Sequence, residues 1–165
     1  MMSESVGQPS EVVTSAERYE RGLALKDAGL HKSAIDQFEI AKADPALTLK
    51  SYAQIGLCFK LAGRYEDAVA SFQKALSASA GSSKETVQIL YVLGRTLEAL
   101  GRVAETLEAY RWIRREDPEY RDVADRIERL SSQRPASVGA KRRTEREPRS
   151  GSALKTLQQL WGAPK

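Results

Sequence analysis

The stretch Tyr52-Ala-Gln-Ile-Gly-Leu-Cys-Phe-Lys-Leu-Ala-Gly-Arg-Tyr-Glu-Asp-Ala-Val-Ala-Ser-Phe-Gln-Lys-Ala75 decides the fold. Tyr52, Ile55, Gly56 and Phe59 fall at i, i+3, i+4 and i+7, one face of an α-helix. Gly63 stands where a glycine ends a helix, because it enters the left-handed region without a Cβ clash. A second run follows, with Ala68, Phe72, Ala75 and Leu76 at helical spacing. Leu61 to Tyr65 between them is a short turn, so the two predicted helices run antiparallel.

The same pattern occurs on either side. Gly22, Gly56 and Gly94 form one series; Gly29, Gly63 and Gly101 form a second. Ala34, Ala68 and Thr106 form a third, and Phe38, Phe72 and Tyr110 a fourth. Every series steps by 34 residues and then by 38. Four series with common steps define a repeated helix pair. The extra four residues are expected between Ser77 and Ser83, a run of small residues containing Gly81. Ser82-Ser-Lys-Glu85 and Thr14-Ser-Ala-Glu17 read as capping boxes that start helices. Asp44-Pro45 and Asp117-Pro118 place a capping side chain before a proline suited to a first helical turn.

On these residues the chain resembles the tetratricopeptide repeat family. In the middle unit Tyr52, Ile55, Gly56, Phe59, Gly63, Ala68, Phe72 and Ala75 fall at repeat positions 4, 7, 8, 11, 15, 20, 24 and 27. The third unit matches through Leu90, Leu93, Gly94, Leu97, Gly101, Tyr110 and Pro118, and departs at Thr106 and Ile113, where small residues are usual. The first unit has Gly22, Gly29, Ala34, Phe38 and Ala41, and departs at Arg21, where a leucine is usual. The resemblance implies an all-α fold, a right-handed α-solenoid of three helix pairs. Tyr120, Val123, Ala124, Ile127 and Leu130 then continue at helical spacing opposite a charged face. That is the pattern of a terminal helix that closes the last apolar surface of an array.

The expected organisation is a disordered N-terminus over 1–13 and a repeat domain over 14–130. Within it the repeats cover about 15–47, 49–82 and 87–118, with a capping helix over 118–130. A basic disordered linker covers 131–152, and a short amphipathic helix covers 153–162.

Charge supports this division. The 165 residues carry 26 Lys+Arg and 22 Asp+Glu, a formal charge of +4. Residues 1–130 hold 18 basic and 20 acidic side chains, a net of −2, whereas 131–165 hold 8 and 2, a net of +6. The basic balance thus belongs to the last 35 residues, which are rich in Ser, Pro and Arg before the tail run. In that run Leu154, Leu157, Leu160 and Trp161 share one helical face. About ten residues are too few for a stable isolated helix in water, so this face must dock to become ordered.

Several functions are excluded or left without a signal. Hydrophobic residues make up 41% of the chain, and no run nears the ~20 apolar residues that span a bilayer. The start of the chain has no basic and apolar leader pattern, so a cytoplasmic location is expected. One cysteine, Cys58, and one histidine, His31, leave no disulfide framework and no metal-ligand spacing. No phosphate-binding glycine loop or nucleophile motif occurs. No enzyme activity, cofactor or metal is expected.

The resemblance implies instead a protein-binding groove lined by the first helix of each pair. Its residues would be Tyr19, Leu23 and Lys26 from the first unit and Lys50, Ala53, Leu57 and Lys60 from the second. Gln88, Tyr91 and Arg95 would come from the third. Such an apolar strip flanked by cations suits an amphipathic helix or extended peptide with acidic flanks. Repeat co-chaperones clamp a C-terminal carboxylate with Lys, Asn and Arg, but the matching positions here are Tyr19, Leu23, Gln54, Gln88 and Val92. None can supply that charge-assisted pattern.

The reading is therefore an adaptor with two surfaces, the groove and the Leu154/Leu157/Leu160/Trp161 face. The tail could dock on a partner protein, on its own groove, or on an anionic membrane or nucleic acid drawn by the linker arginines. A 22-residue linker reaches about 26 Å, enough for self-docking. The alternative is a secretion chaperone, since bacterial translocator chaperones also carry three such repeats, although they are acidic. Gly56→Leu or Ala68→Leu should overpack the predicted helix contact and cost about 1–3 kcal/mol. An unchanged thermal midpoint in either variant would refute this register.

Overall fold

The computed structural model describes residues 12–78 and 81–133. Nearly all of the N-terminal segment, most of the basic linker and the helix expected over 153–162 lie outside these residues. Within them the chain forms seven α-helices and no strand. They are α1 (Ser15–Asp27), α2 (His31–Ala41), α3 (Thr48–Leu61), α4 (Tyr65–Ser77), α5 (Ser83–Ala99), α6 (Val103–Glu116) and α7 (Val123–Ser132). Each helix packs on the next, giving three antiparallel pairs stacked as an α-solenoid and closed by α7.

The repeated glycines serve two different physical purposes. Gly29, Gly63 and Gly101 adopt φ of 78°, 75° and 70°, the left-handed region. There each stops a helix by the same hydrogen bonds. The Gly63 amide donates to the Lys60 carbonyl at 3.1 Å, and the Arg64 amide donates to the Phe59 carbonyl at 2.8 Å. The pair repeats at Gly29/Leu30 and Gly101/Arg102. This cap absorbs the last carbonyls of one helix. The residue just beyond accepts the first bond of the next, as Arg64 does from Ala68 at 3.0 Å.

Gly22, Gly56 and Gly94 are buried in mid-helix and face an aromatic ring. A Cβ on Gly56 would stand 2.6 Å from Phe72 Cε1. On Gly22 it would meet Phe38 at 2.6 Å, and on Gly94 it would meet Tyr110 at 2.4 Å. These rings are 0–1% exposed, so they have no free space to move into. The absence of a side chain on one helix is filled by the ring of the other.

Departures from the repeat pattern have local causes. Thr106 replaces a small residue and is fully buried, but its hydroxyl donates to the Arg102 carbonyl at 2.9 Å. Ile113 stands where Ala41 and Ala75 occur, and it joins the core that Val123, Ile127 and Leu130 of α7 complete. Arg21 is exposed, whereas the matching Ile55 and Leu93 are 2% and 1% exposed.

Both predicted capping boxes form. Thr14 Oγ1 accepts from the Glu17 amide at 3.2 Å while Glu17 Oε2 accepts from the Thr14 amide at 2.7 Å. Ser82 and Glu85 repeat this at 3.3 and 3.0 Å. The two Asp-Pro sites behave differently. Asp44 Oδ1 accepts from the Ala46 amide and Asp117 Oδ1 from the Glu119 amide, so each closes a turn ahead of the helix. α3 then begins at Thr48 and α7 at Val123. The expected start of the capping helix at 118 is thereby corrected by five residues. Proline fixes its own φ, but the side-chain bond diverts the backbone into a turn first.

The four extra residues fall around the junction of α4 and α5. α4 runs two residues beyond the match to Ala41, and α5 starts three residues before the match to Thr48. Helix lengthening absorbs the insertion, and Gly81 packs so tightly that a Cβ would lie 2.5 Å from Leu49 Cδ1.

The core has two parts. Ala34, Phe38, Ile55 and Cys58 join the first pair to the second. A larger cluster runs from Leu49 through Phe72, Leu90, Leu97 and Tyr110 to Leu130. Tyr52 and Phe59 pack against both. Gly56→Ala should cost about 1–3 kcal/mol in urea unfolding, because the Phe72 ring must be displaced. Phe72→Leu should cost less in the Gly56→Ala background than alone. Strict additivity of the two changes would refute the ring-on-glycine contact as the source.

Candidate functional site

α1, α3 and α5 are the first helices of the three pairs. A cavity of about 260 Å³ opens between α3, α5 and the turn that leads into α7. Ala53, Leu57, Ile89 and Val92 give it an apolar floor, and Gln54 and Gln88 bring amides to its sides. Tyr91, Tyr120 and Arg121 form the remaining wall. Helical spacing explains the set: Ala53 and Leu57 are one turn apart on α3, as are Gln88 and Val92 on α5.

Of the groove residues expected from sequence, Ala53, Leu57, Gln88 and Tyr91 come together here. Tyr19 and Leu23 lie on α1 and pack toward the Phe38/Ile55/Cys58 cluster. Tyr19 meets Phe38 edge-on, with centroids 5.4 Å apart. Burial pushes the Tyr19 phenol up, against the opposing effect of a hydrogen bond with Gln54. Lys26 Nζ donates to Gln54 Oε1 at 2.8 Å, tying α1 to the side of the cavity. Lys50 is exposed and stands 4.0 Å from Glu85.

Lys60 and Arg95 differ from these. Burial pulls the Lys60 ammonium below its ordinary range, and the nearby Arg95 charge pulls the same way. No carboxylate lies within ion-pair reach of either side chain among the described residues. Arg95 Nη1 donates only a long bond, 3.4 Å, to the Tyr91 hydroxyl.

Tyr91 lines the cavity from a largely buried position. It is 8% exposed, not an open groove aromatic. Its ring sits edge-on to Tyr120 at 5.7 Å and tilted on Tyr110 at 6.4 Å. Its hydroxyl donates to Asp122 Oδ1 at 2.8 Å. Asp122 also accepts from Arg126 Nε at 2.7 Å, while Arg126 Nη1 reaches Glu98 Oε2 at 2.8 Å. Tyr110 and Arg129 donate to the same Glu98 carboxylate at 3.0 and 3.2 Å. Burial and the Glu98 charge both push the Tyr110 phenol up. This network fastens α7 to α5 and α6, and it uses Glu98 and Tyr91 structurally.

Three cavity residues carried little signal in the sequence. Tyr120 and Arg121 lie outside the repeats, in a stretch that read as the start of a helix. Ile89 stands at the position that matches Ser51 of α3, which does not line the cavity. Arg121 is the one non-glycine residue with positive φ among the described residues, at 48°. That position could have been found only by knowing that α7 starts late.

The remaining sequence candidates stay apart from this site. Cys58 is fully buried and burial pushes its thiol up, with Lys26 pulling the other way. Among the described residues no group of His, Cys, Asp and Glu could hold a metal ion. No helix there is long and apolar enough to cross a membrane.

Residues 49–81 match the tetratricopeptide repeat family model. The solved structures agree across the array. The first repeat domain of Spaghetti (RPAP3), bound to the HSP90 peptide SRMEEVD, superposes with a TM-score of 0.60 at 15% identity. It covers 73% of this chain and 96% of that one. The Yersinia enterocolitica type III secretion chaperone SycD, in complex with a peptide of the translocator YopD, gives 0.55 at 14% identity. It covers 71% of this chain and 86% of that one. No curated protein matches in sequence. The described residues thus form an α-solenoid of helix pairs, similar in fold to these solved structures, and residues 49–81 within it match the tetratricopeptide repeat.

The cap network carries a pH prediction. Burial raises the Asp122 carboxyl, but the Tyr91 hydroxyl bond and the Arg126 charge outweigh it and hold the group below its ordinary value. A depressed carboxyl contributes stability above the unfolded value of about 4, lost as pH falls through the folded value. Tyr91→Phe should lower stability at pH 7 and flatten the decline below about pH 4. Equal acid-unfolding slopes for Tyr91→Phe and the parent would refute this linkage.

Proposed function

We propose that this protein is a non-enzymatic adaptor that holds a peptide or helix of a partner protein in the groove of α1, α3 and α5. The observation that carries the reading is the apolar cavity of Ala53, Leu57 and Val92, open between two first helices and walled on one side by Arg121, which has no ion-pair partner among the described residues. Both solved relatives above hold peptides, which supports a protein partner in general. At 14–15% identity they speak for the fold and not for a shared partner. The likeness to SycD keeps a secretion-chaperone role as the second reading, since such a chaperone would use a groove on the same scaffold.

The tail face of Leu154, Leu157, Leu160 and Trp161 is the second proposed docking element, and the location is proposed as cytoplasmic. A partner held by the tail would be lost when the chain ends at Leu130. A partner held by the groove would be lost in Leu57→Glu, which places a carboxylate on the cavity floor while far-ultraviolet helicity stays unchanged. If the whole chain, the Leu130 truncation and Leu57→Glu capture the same partners, both surfaces are wrong. A phosphate-driven tether through the linker arginines predicts a steep loss of binding with salt, whereas groove binding predicts a modest one.

A further inference from the structure

The turn between α6 and α7 contains an arginine with positive φ, a conformation otherwise taken among the described residues only by the glycines of the turns within each pair. Gly29, Gly63 and Gly101 are the other described positive-φ residues, and each has open space where a Cβ would go. Arg121 takes φ 48° with a long side chain, a conformation that is strained for a residue with a Cβ. A turn alone would be better served by glycine, so the side chain is what the position retains at a cost in strain.

That side chain is held in place. Its guanidinium lies 4.8 Å from the Tyr91 ring centroid and 5.4 Å from that of Tyr120. Both faces of the contact are fixed, because Tyr91 is buried and bonded to Asp122. Stacking holds a guanidinium by its plane and leaves its N–H edge for an acceptor. Arg121 lines the cavity wall and makes no ion pair among the described residues.

Arg95 reaches the hydroxyl of the same Tyr91, and Lys60 feels the charge of Arg95. Of these cations Arg121 lines the cavity, while Lys60 and Arg95 stand three residues beyond the lining Leu57 and Val92 on α3 and α5; none of the three has a carboxylate in ion-pair reach among the described residues. The nearest candidates are occupied: Asp122 by Tyr91 and Arg126, and Glu98 by Tyr110, Arg126 and Arg129. This occurs in a chain whose first 130 residues carry a net charge of −2, so the positive edge is a local concentration. Such an edge beside an apolar floor is complementary to carboxylates next to an apolar side chain.

We propose that Arg121 is a specificity-determining residue and that the groove takes an acidic peptide segment, with an apolar side chain over Ala53, Leu57 and Val92 and neighbouring Asp or Glu carboxylates on Arg121, Arg95 and Lys60. The proposal rests on the groove being the peptide site. The acceptors are side-chain carboxylates within the peptide, held partly by a residue outside the repeats.

The test is selection of a random 12-residue peptide library displayed on phage against the full chain, followed by anisotropy with the enriched peptides. Enriched peptides should place Asp or Glu beside a large apolar residue. Arg121→Gly keeps the left-handed turn available, so the thermal midpoint should hold while affinity falls about tenfold. Arg121→Lys should recover part of the affinity, and Lys60→Gln with Arg95→Gln should weaken binding further. Peptides without acidic bias, or acidic peptides indifferent to Arg121→Gly, overturn the proposal even if Leu57→Glu abolishes their binding. Peptides indifferent to Leu57→Glu, or no enrichment at all, overturn the groove reading and this one together.

Discussion

An aromatic ring lying on a bare glycine is the contact on which the array depends. In each pair the ring of Phe38, Phe72 or Tyr110 occupies the volume that a Cβ on Gly22, Gly56 or Gly94 would need. That contact sets how closely the two helices of a pair approach. The short glycine-capped turn then sets their antiparallel sense. Once both are fixed, the apolar residues beside the contact face the next pair, and stacking buries them in a continuous core. The first helices are left side by side, and the groove is a consequence of that stacking.

The array ends differently from the way it repeats. At its last pair Thr106 and Ile113 replace small residues, and the space beyond them is closed by Val123, Ile127 and Leu130 of α7. Apolar burial attaches α7, while its orientation is specified by hydrogen bonds. Glu98 collects Tyr110, Arg126 and Arg129, and Asp122 joins Arg126 to Tyr91. Partly buried charges of this kind need every partner, since removing one leaves another uncompensated. The same network anchors the turn bearing Tyr120 and Arg121, so closing the core and shaping the groove are one structural event.

Charge is divided in a way the net value conceals. The acidic groups of the body are largely engaged, in capping boxes at Glu17 and Glu85 and in ion pairs at Glu98, Glu105 and Asp122. Arg121 on the cavity wall, and Lys60 and Arg95 one turn beyond Leu57 and Val92, are not paired with carboxylates among the described residues. An overall acidic body can therefore present a positive edge to a ligand, while the basic excess of the sequence stands in the last 35 residues.

Sequence alone determined the helix pairs, their register and both capping boxes, because these depend on residues three to seven positions apart or on one recurring interval. The family resemblance also suggested Ala53, Leu57 and Gln88 as groove residues, and the structure sets these three along one cavity. Tertiary structure decided the rest. Tyr91 became a wall because Tyr120 and Asp122 cover it from a segment about 30 residues away. The four added residues went into longer helices, α4 and α5 being two and three residues longer than α2 and α3. Arg121 reached the cavity because Asp117 closed a turn where the pattern of apolar residues predicted a helix. These outcomes turn on which surface is free to receive a side chain, and that is known only after the pairs have stacked.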